Sequence, residues 1–441
     1  MSAEAKLFGT DGVRGVAGEH LTAELALALG RAAVAISPAD VPQVLIVRDT
    51  RESGEMLEAL LGAGISAGGG HALLGGVLPT PGASLLVRRY GLDLAAVVSA
   101  SHNPYEDNGI KFFGPKGTKI DDEQEERIEA IVRGEEAPGA RPIGRVRELH
   151  GAVGDYAREL ELRFRGLDLS GRRILLDCAN GATYRVAPEV FRRLGAEVEA
   201  IAVEPDGRNI NAGCGSTHVE ALAERMGTGE FDVGFAFDGD GDRVLAVDGA
   251  GSVVDGDELM ALAALHLRRR GRLPGDGVAV TVMTNFGFHR AMADAGIDVA
   301  TTPVGDRNVL AELLRRGWAL GGEQSGHIID TGFVPAGDGI ASALLTIEAL
   351  DGRDLAKRDA MRKLPQRLVN VRVRDREALT GADPVWAAVR GEERRLDGRG
   401  RVLVRPSGTE PLVRVMVEAP DENECDAIVA RLVDVVEREL A

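Results

Sequence analysis

Three aspartates stand at every second position in Asp238-Gly239-Asp240-Gly241-Asp242-Arg243. In an extended loop this spacing projects three carboxylates to one side, where they repel unless a cation sits among them. The intervening glycines let the backbone bend tightly around such an ion. A calcium loop of the EF-hand type needs Gly at its sixth position and Glu at its twelfth. Arg243 and Gly249 occupy those places, so that geometry is excluded. Three carboxylate ligands leave coordination positions free, which suits Mg²⁺ shared with a phosphate oxygen. A solvated acidic loop is the plainer alternative, and strict alternation directly after the apolar run 233–237 weighs against it.

Three further segments carry chemistry. Ser99-Ala100-Ser101-His102-Asn103-Pro104 follows the apolar run 95–98. A serine beside a histidine at a strand end is a candidate nucleophile, although a helix cap or turn explains the segment alone. The lysines shift the balance. The chain has six, and Lys111, Lys116 and Lys119 all fall within twenty residues of Ser101. Keeping lysine there, in a chain that otherwise uses arginine, points to compact rotatable donors near an anion. Gly321-Gly322-Glu323-Gln324-Ser325-Gly326-His327 offers groups for sugar hydroxyls, with His327 a proton carrier. Arg405-Pro406-Ser407-Gly408-Thr409-Glu410-Pro411, with Arg414 beyond, reads as a dianion nest or, more plainly, as a hairpin turn. Gly9-Thr10-Asp11-Gly12-Val13-Arg14-Gly15 adds a glycine-flanked arginine. A nucleophilic serine, a metal loop, a hydroxyl-reading loop and a phosphate nest together describe phosphoryl transfer on a phosphosugar.

The elements that must position these segments alternate between short β-rich runs and amphipathic helical runs. Strands are expected over 44–47, 71–74 and 95–98, with helices over 54–67 and 81–90. After a linker at 134–144, a second unit has strands over 174–177, 197–202 and 233–237 and helices over 186–194 and 219–226. A third has strands over 278–282 and 299–302 and helices over 286–295 and 308–316. Beyond 363–365 the pattern becomes α+β, with strands over 368–373, 401–404 and 413–418 and helices over 385–394 and 422–440. Domains are therefore expected at 1–150, 151–254, 255–365 and 366–441. The three α/β units share an order of elements without a residue-level repeat.

Composition limits the alternatives. The 441 residues suffice for two to four domains, at roughly 100–200 residues each. A formal net charge of −17 excludes non-specific binding to nucleic acid or to an anionic membrane. Cys178, Cys214 and Cys425 lack metal or disulfide spacing and fit a reducing cytoplasm. Residues 1–8 lack the apolar core of a secretory signal. The uncharged stretch 59–87 is broken too often by Gly and Pro for a membrane span and reads as helix, strand and helix.

With its four segments in this order, the chain resembles the α-D-phosphohexomutases over essentially its whole length. The resemblance implies three similar α/β domains with mixed sheets and a C-terminal α+β domain of the TATA-binding-protein-like type, heart-shaped around a central cleft. It implies that Ser101 is a phosphoserine and that Ser101, Asp238, Asp240 and Asp242 hold one Mg²⁺ per chain. Glu323 and Ser325 would contact the sugar, and Arg405, Ser407, Gly408, Thr409 and Arg414 the phosphate that is not reacting. Arg14, His102, Lys111 and His327 would supply charge and proton transfer. The implied reaction converts glucosamine 6-phosphate to glucosamine 1-phosphate through a 1,6-bisphosphate, feeding UDP-N-acetylglucosamine and cell-wall synthesis. Glucosamine or glucose 1,6-bisphosphate would act as activator. The alternatives are a mutase of mannose or glucose phosphates with the same machinery and, more remotely, a metal-dependent phosphosugar phosphatase. The expected partners are a phosphosugar substrate, a second copy in a homodimer and an activating protein kinase.

Overall fold

The computed structural model describes residues 6–9, 11–137, 139, 141–407 and 410–441. Thr10, and Gly408 and Thr409 of the expected phosphate nest, lie outside the described residues. The chain divides into two compact units, residues 1–282 with 298–358, and residues 283–297 with 359–441.

The first unit holds three mixed sheets built on one plan. Each has a parallel core whose last strand turns back through a hairpin into an antiparallel return strand. In the first sheet Leu94–Val98 runs parallel to Gln43–Arg48 and returns as Asp107–Phe113. In the second, Val233–Phe237 runs parallel to Arg173–Asp177 and returns as Val244–Asp248. In the third, Leu320–Gly322 runs parallel to Gly277–Thr281 and returns as Ile328–Asp330. Each hairpin carries one of the chemistry-bearing segments at the carboxyl end of a parallel strand, where open α/β sheets present their ligands. The expected mixed-sheet α/β domains are thus present. The return strands are the part of the plan that the sequence reading lacked.

Apolar runs make these strands and bury them: all five residues of Leu94–Val98 and of Val233–Phe237 are buried. Helices cover the sheets, and several are started by a side-chain cap. Thr22 Oγ1 accepts from Leu25 N at 3.2 Å ahead of helix Ala23–Ala35. That helix packs on Gly54–Ala67 at glycine contacts. A Cβ on Gly64 would stand 2.1 Å from the Leu27 carbonyl oxygen, and one on Gly30 2.3 Å from that of Leu61.

The second unit is a three-stranded antiparallel sheet in the order Gln366–Arg372, Leu412–Glu418, Arg401–Pro406. Helices Asp383–Leu396 and Glu422–Leu440 pack against it around Val413, Val415, Val417, Leu432 and Val436. Helix Phe286–Asp294 belongs to this unit, although in sequence it lies between two strands of the third sheet. Asn285 Nδ2 donates to the Leu364 carbonyl at 3.0 Å and Phe286 N to Glu418 Oε2 at 3.0 Å. Among the described residues no helix is long and apolar enough to cross a membrane.

The glycine contact gives a stability prediction. Gly64→Ala forces the two helices apart and should cost about 1–3 kcal/mol, as overpacking does. Urea unfolding followed by circular dichroism should show a lower midpoint. An unchanged midpoint would mean that the helices separate freely.

Candidate active site

The hairpin after Val233–Phe237 brings the three aspartates together. One oxygen from each of Asp238, Asp240 and Asp242 lies within 4.8 Å of the others, and all three residues are buried. Burial, reinforced by the charges of Asp242 and Asp240, pushes the Asp238 carboxyl well above its ordinary range. Burial opposes Asp240 as well, but the Lys111 ammonium outweighs it and holds Asp240 below the ordinary range. Asp240 Oδ2 accepts from Lys111 Nζ at 2.9 Å and from Thr80 Oγ1 at 2.7 Å. Asp240 Oδ1 and Asp242 Oδ1 are buried without a hydrogen-bond partner among the described residues. Orphaned carboxylate oxygens converging in an all-oxygen donor set fit a hard divalent cation.

The hairpin after Leu94–Val98 presents Ser101 to this pocket. Ser101 Oγ donates to Asp238 Oδ2 at 2.5 Å and lies 3.4 Å from His102 Nδ1. The metal loop can lie this close because Gly239 faces the serine: a Cβ there would stand 2.5 Å from the Ser101 carbonyl oxygen. Ser101 is buried and adopts φ +53°, a left-handed conformation that few side chains tolerate. Arg243 Nη1 lies 3.1 Å from His102 Nδ1. Burial, then Arg243 and Arg14, push the His102 imidazole down toward its neutral form.

Charges of opposite sign knit the remaining groups together. Lys111 Nζ pairs with Asp11 Oδ2 at 3.0 Å in addition to Asp240, and Arg14 pairs with Asp11. Burial works against the Lys111 charge, but Asp11, Asp240 and Asp242 outweigh it and keep the group an ammonium. Lys119 bridges Asp11 Oδ1 at 2.5 Å and Asp306 Oδ2 at 2.7 Å. His327 Nδ1 stands 3.6 Å from Asp242 Oδ2, and its Nε2 3.8 Å from Asp306 Oδ2. For His327, burial is outweighed by Asp242 and Asp306, which raise its affinity for a proton.

The third hairpin docks on the second. Val244 N donates to the Gly326 carbonyl at 3.1 Å and Gly256 N to that of Gln324 at 3.0 Å. Glu323 Oε1 accepts from Gly305 N at 3.0 Å, and Ser325 is exposed. The first unit therefore brings Arg14, Ser101, His102, Lys111, the three aspartates and His327 into one network, with Glu323 and Ser325 on the loop that ends at His327.

In the second unit Arg405 and Arg414 face each other across the register of neighbouring strands. Like charges directly opposite are unfavourable without an anion between them. Burial, then Arg414, make the Arg405 guanidinium easier to deprotonate than an ordinary arginine. Arg414 Nε is buried without a partner among the described residues. Ser407 N donates to the Leu412 carbonyl at 2.8 Å, so this one backbone donor is occupied.

Sequence reasoning missed Asp11, Thr80 and Asp306. Asp11 lay inside a segment already singled out. The others are lone polar residues whose partners are remote in sequence.

Comparison with known proteins gives the family. Family models described as Phosphoglucomutase/phosphomannomutase, alpha/beta/alpha domains I, II and III, match residues 5–138, 155–251 and 255–368, and the corresponding C-terminal domain matches 368–435. The chain is 51% identical to a phosphoglucosamine mutase of Desulforudis audaxviator, over 98% of this chain and 97% of that protein. It is 51% identical to one from Moorella thermoacetica, over 97% and 98%. The fold resembles a phosphoglucomutase/phosphomannomutase family protein from Burkholderia thailandensis, with TM-score 0.84, 23% identity and coverage of 98% and 97%. It also resembles an Aspergillus fumigatus N-acetylphosphoglucosamine mutase crystallised with GlcNAc-6P and magnesium, with TM-score 0.71, 19% identity and coverage of 100% and 97%. On the match of all four family models and on identity across the full length, the chain belongs to the phosphoglucomutase/phosphomannomutase family.

Proposed function

We propose that this mutase interconverts glucosamine 6-phosphate and glucosamine 1-phosphate through a phosphoserine at Ser101 and a 1,6-bisphosphate. The observation that carries the reading is Ser101 Oγ at 2.5 Å from Asp238, inside a buried pocket of three carboxylates. The relatives named phosphoglucosamine mutase supply the amino-sugar substrate.

In the forward direction O1 of the sugar attacks the phosphorus on Ser101. The O1–P bond forms as the P–Oγ bond breaks. The proton lost from O1 and the one regained by Oγ move through His327 and His102, the two imidazoles of the site. In the second half the bisphosphate turns around, Oγ gives up its proton and attacks the phosphorus on O6, the P–O6 bond breaks as O6 takes up a proton, and glucosamine 1-phosphate leaves with Ser101 phosphorylated again. One Mg²⁺, held by Asp238, Asp240, Asp242 and an oxygen of the phosphoserine, would offset charge on the transferring group. Lys111 and Arg14 contribute fixed positive charge beside it. Arg405 and Arg414, with Ser407, Gly408 and Thr409, hold the phosphate that is not reacting. Glu323 and Ser325 contact the sugar, and one carboxylate oxygen of Glu323 is already fixed by Gly305. A sugar 1,6-bisphosphate primes Ser101.

Ser101→Ala should reduce kcat by about a thousandfold or more, and stripping divalent metal should abolish phosphorylation of Ser101 by glucose 1,6-bisphosphate. Steady-state turnover checks the first and intact-protein mass the second. Full phosphorylation in excess chelator would remove the metal from the account.

Arg405→Ala should raise KM for hexose and hexosamine phosphates alike by about ten- to a hundredfold, the loss of one charge-assisted contact. A loss confined to one sugar would mean that Arg405 reads the sugar.

Glu323 should favour the C2 ammonium over a C2 hydroxyl by about ten- to a hundredfold in kcat/KM. Measuring glucosamine 6-phosphate against glucose 6-phosphate at matched bisphosphate tests this. Equal or better use of the glucose compound would make the chain a general hexose-phosphate mutase.

A further inference from the structure

We propose that Arg51 and Asn211 are positioning residues for phosphoryl transfer, gripping the backbone of Ser101 from two sides so that its hydroxyl stays aimed at Asp238 throughout the cycle. This rests on the mutase reading above. Neither residue touches a reacting group.

Arg51 is fully buried beyond strand Gln43–Arg48, and all five of its side-chain N–H donors are engaged, four of them on the Ser101 hairpin. Nε pairs with Asp49 Oδ2 at 2.9 Å. Nη2 donates to the carbonyls of Ser101 and Asn103, each at 2.9 Å. Nη1 donates to the Asp107 carbonyl at 2.9 Å and to that of Pro104. One rigid fork therefore spans the hairpin from the serine to the start of its return strand.

Asn211 closes the grip from the second sheet's side. Its Nδ2 donates to the same Ser101 carbonyl at 2.9 Å and to that of Asn103 at 3.2 Å. The Ser101 N–H is held as well. It donates to Ser99 Oγ at 2.9 Å, and Ser99 Oγ donates to Asp49 Oδ2 at 2.5 Å, the oxygen that anchors Arg51.

Such over-determination is what a strained residue needs. A non-glycine residue in a sparsely populated backbone region persists only when its surroundings enforce it. Ser101 at φ +53° is that case, and relaxing it would swing Oγ away from the metal loop. A misplacement of about 1 Å at a reacting atom costs about a hundredfold. Lysine cannot replace the fork, because an ammonium is a point charge that cannot span four carbonyls.

The test compares the wild-type chain with Arg51→Lys and Asn211→Ala. Rapid-quench mass spectrometry follows phosphorylation of Ser101 by glucose 1,6-bisphosphate, alongside kcat and KM for glucosamine 6-phosphate. The burst rate constant does not depend on the fraction of folded protein, unlike the burst amplitude, so a merely structural role leaves it unmoved. Arg51→Lys should slow the burst and kcat about a hundredfold, and Asn211→Ala about tenfold, with KM within about threefold of wild type. A burst within about twofold of wild type in folded Asn211→Ala would overturn the proposal, including when Arg51→Lys fails to fold. A wild-type chain that shows no burst would instead overturn the mutase reading itself.

Discussion

Three carboxylates buried within 4.8 Å of one another are the constraint on which the rest of this molecule turns. Such a cluster is unstable by itself, because burial and mutual repulsion both oppose its charge. The chain answers with cations placed one by one. Lys111 takes one oxygen of Asp240, Arg243 stands 3.8 Å from Asp242, and two carboxylate oxygens have no hydrogen-bond partner among the described residues, which fits a divalent ion. A formal net charge of −17 makes this local supply of positive charge the more telling, since it is built against the sign of the whole chain.

The repeated sheet plan explains how one chain can assemble such a pocket. A parallel strand delivers its loop at the carboxyl edge of the sheet, and the antiparallel return anchors the far end of that loop. Three copies of the plan yield three hairpins in the first unit, carrying a hydroxyl, a carboxylate cluster and a histidine with its preceding glutamate. Gly239 lets the second hairpin approach the first, and Gly256 lets the start of helix Gly256–Arg269 approach the third, since a Cβ at either would lie 2.5 Å or less from a carbonyl oxygen there.

Much of this was legible from residue types. Alternating aspartates after an apolar run carry their own electrostatic argument, and Ser101 beside His102 needed only the nearby lysines to stand out. The return strands were harder to see. Asp107–Phe113 opens on Asp-Asn-Gly, which reads as a turn, and Ile328–Asp330 is only three residues long. Of the three lysines expected near an anion, Lys111 and Lys119 face carboxylates of remote segments, and Lys116 is exposed. Arg51 gave no signal because its role lies in five contacts that exist only after folding.

The central claim is that Ser101 hands a phosphoryl group to the sugar and takes one back, without loss to water. Rapid quench of the primed enzyme with glucosamine 6-phosphate carrying radiolabelled phosphate tests it most directly. Label should enter Ser101 transiently and emerge on O1 of the product of the following turnover, with free phosphate at background. Label accumulating as inorganic phosphate, or on any residue other than Ser101, would contradict it.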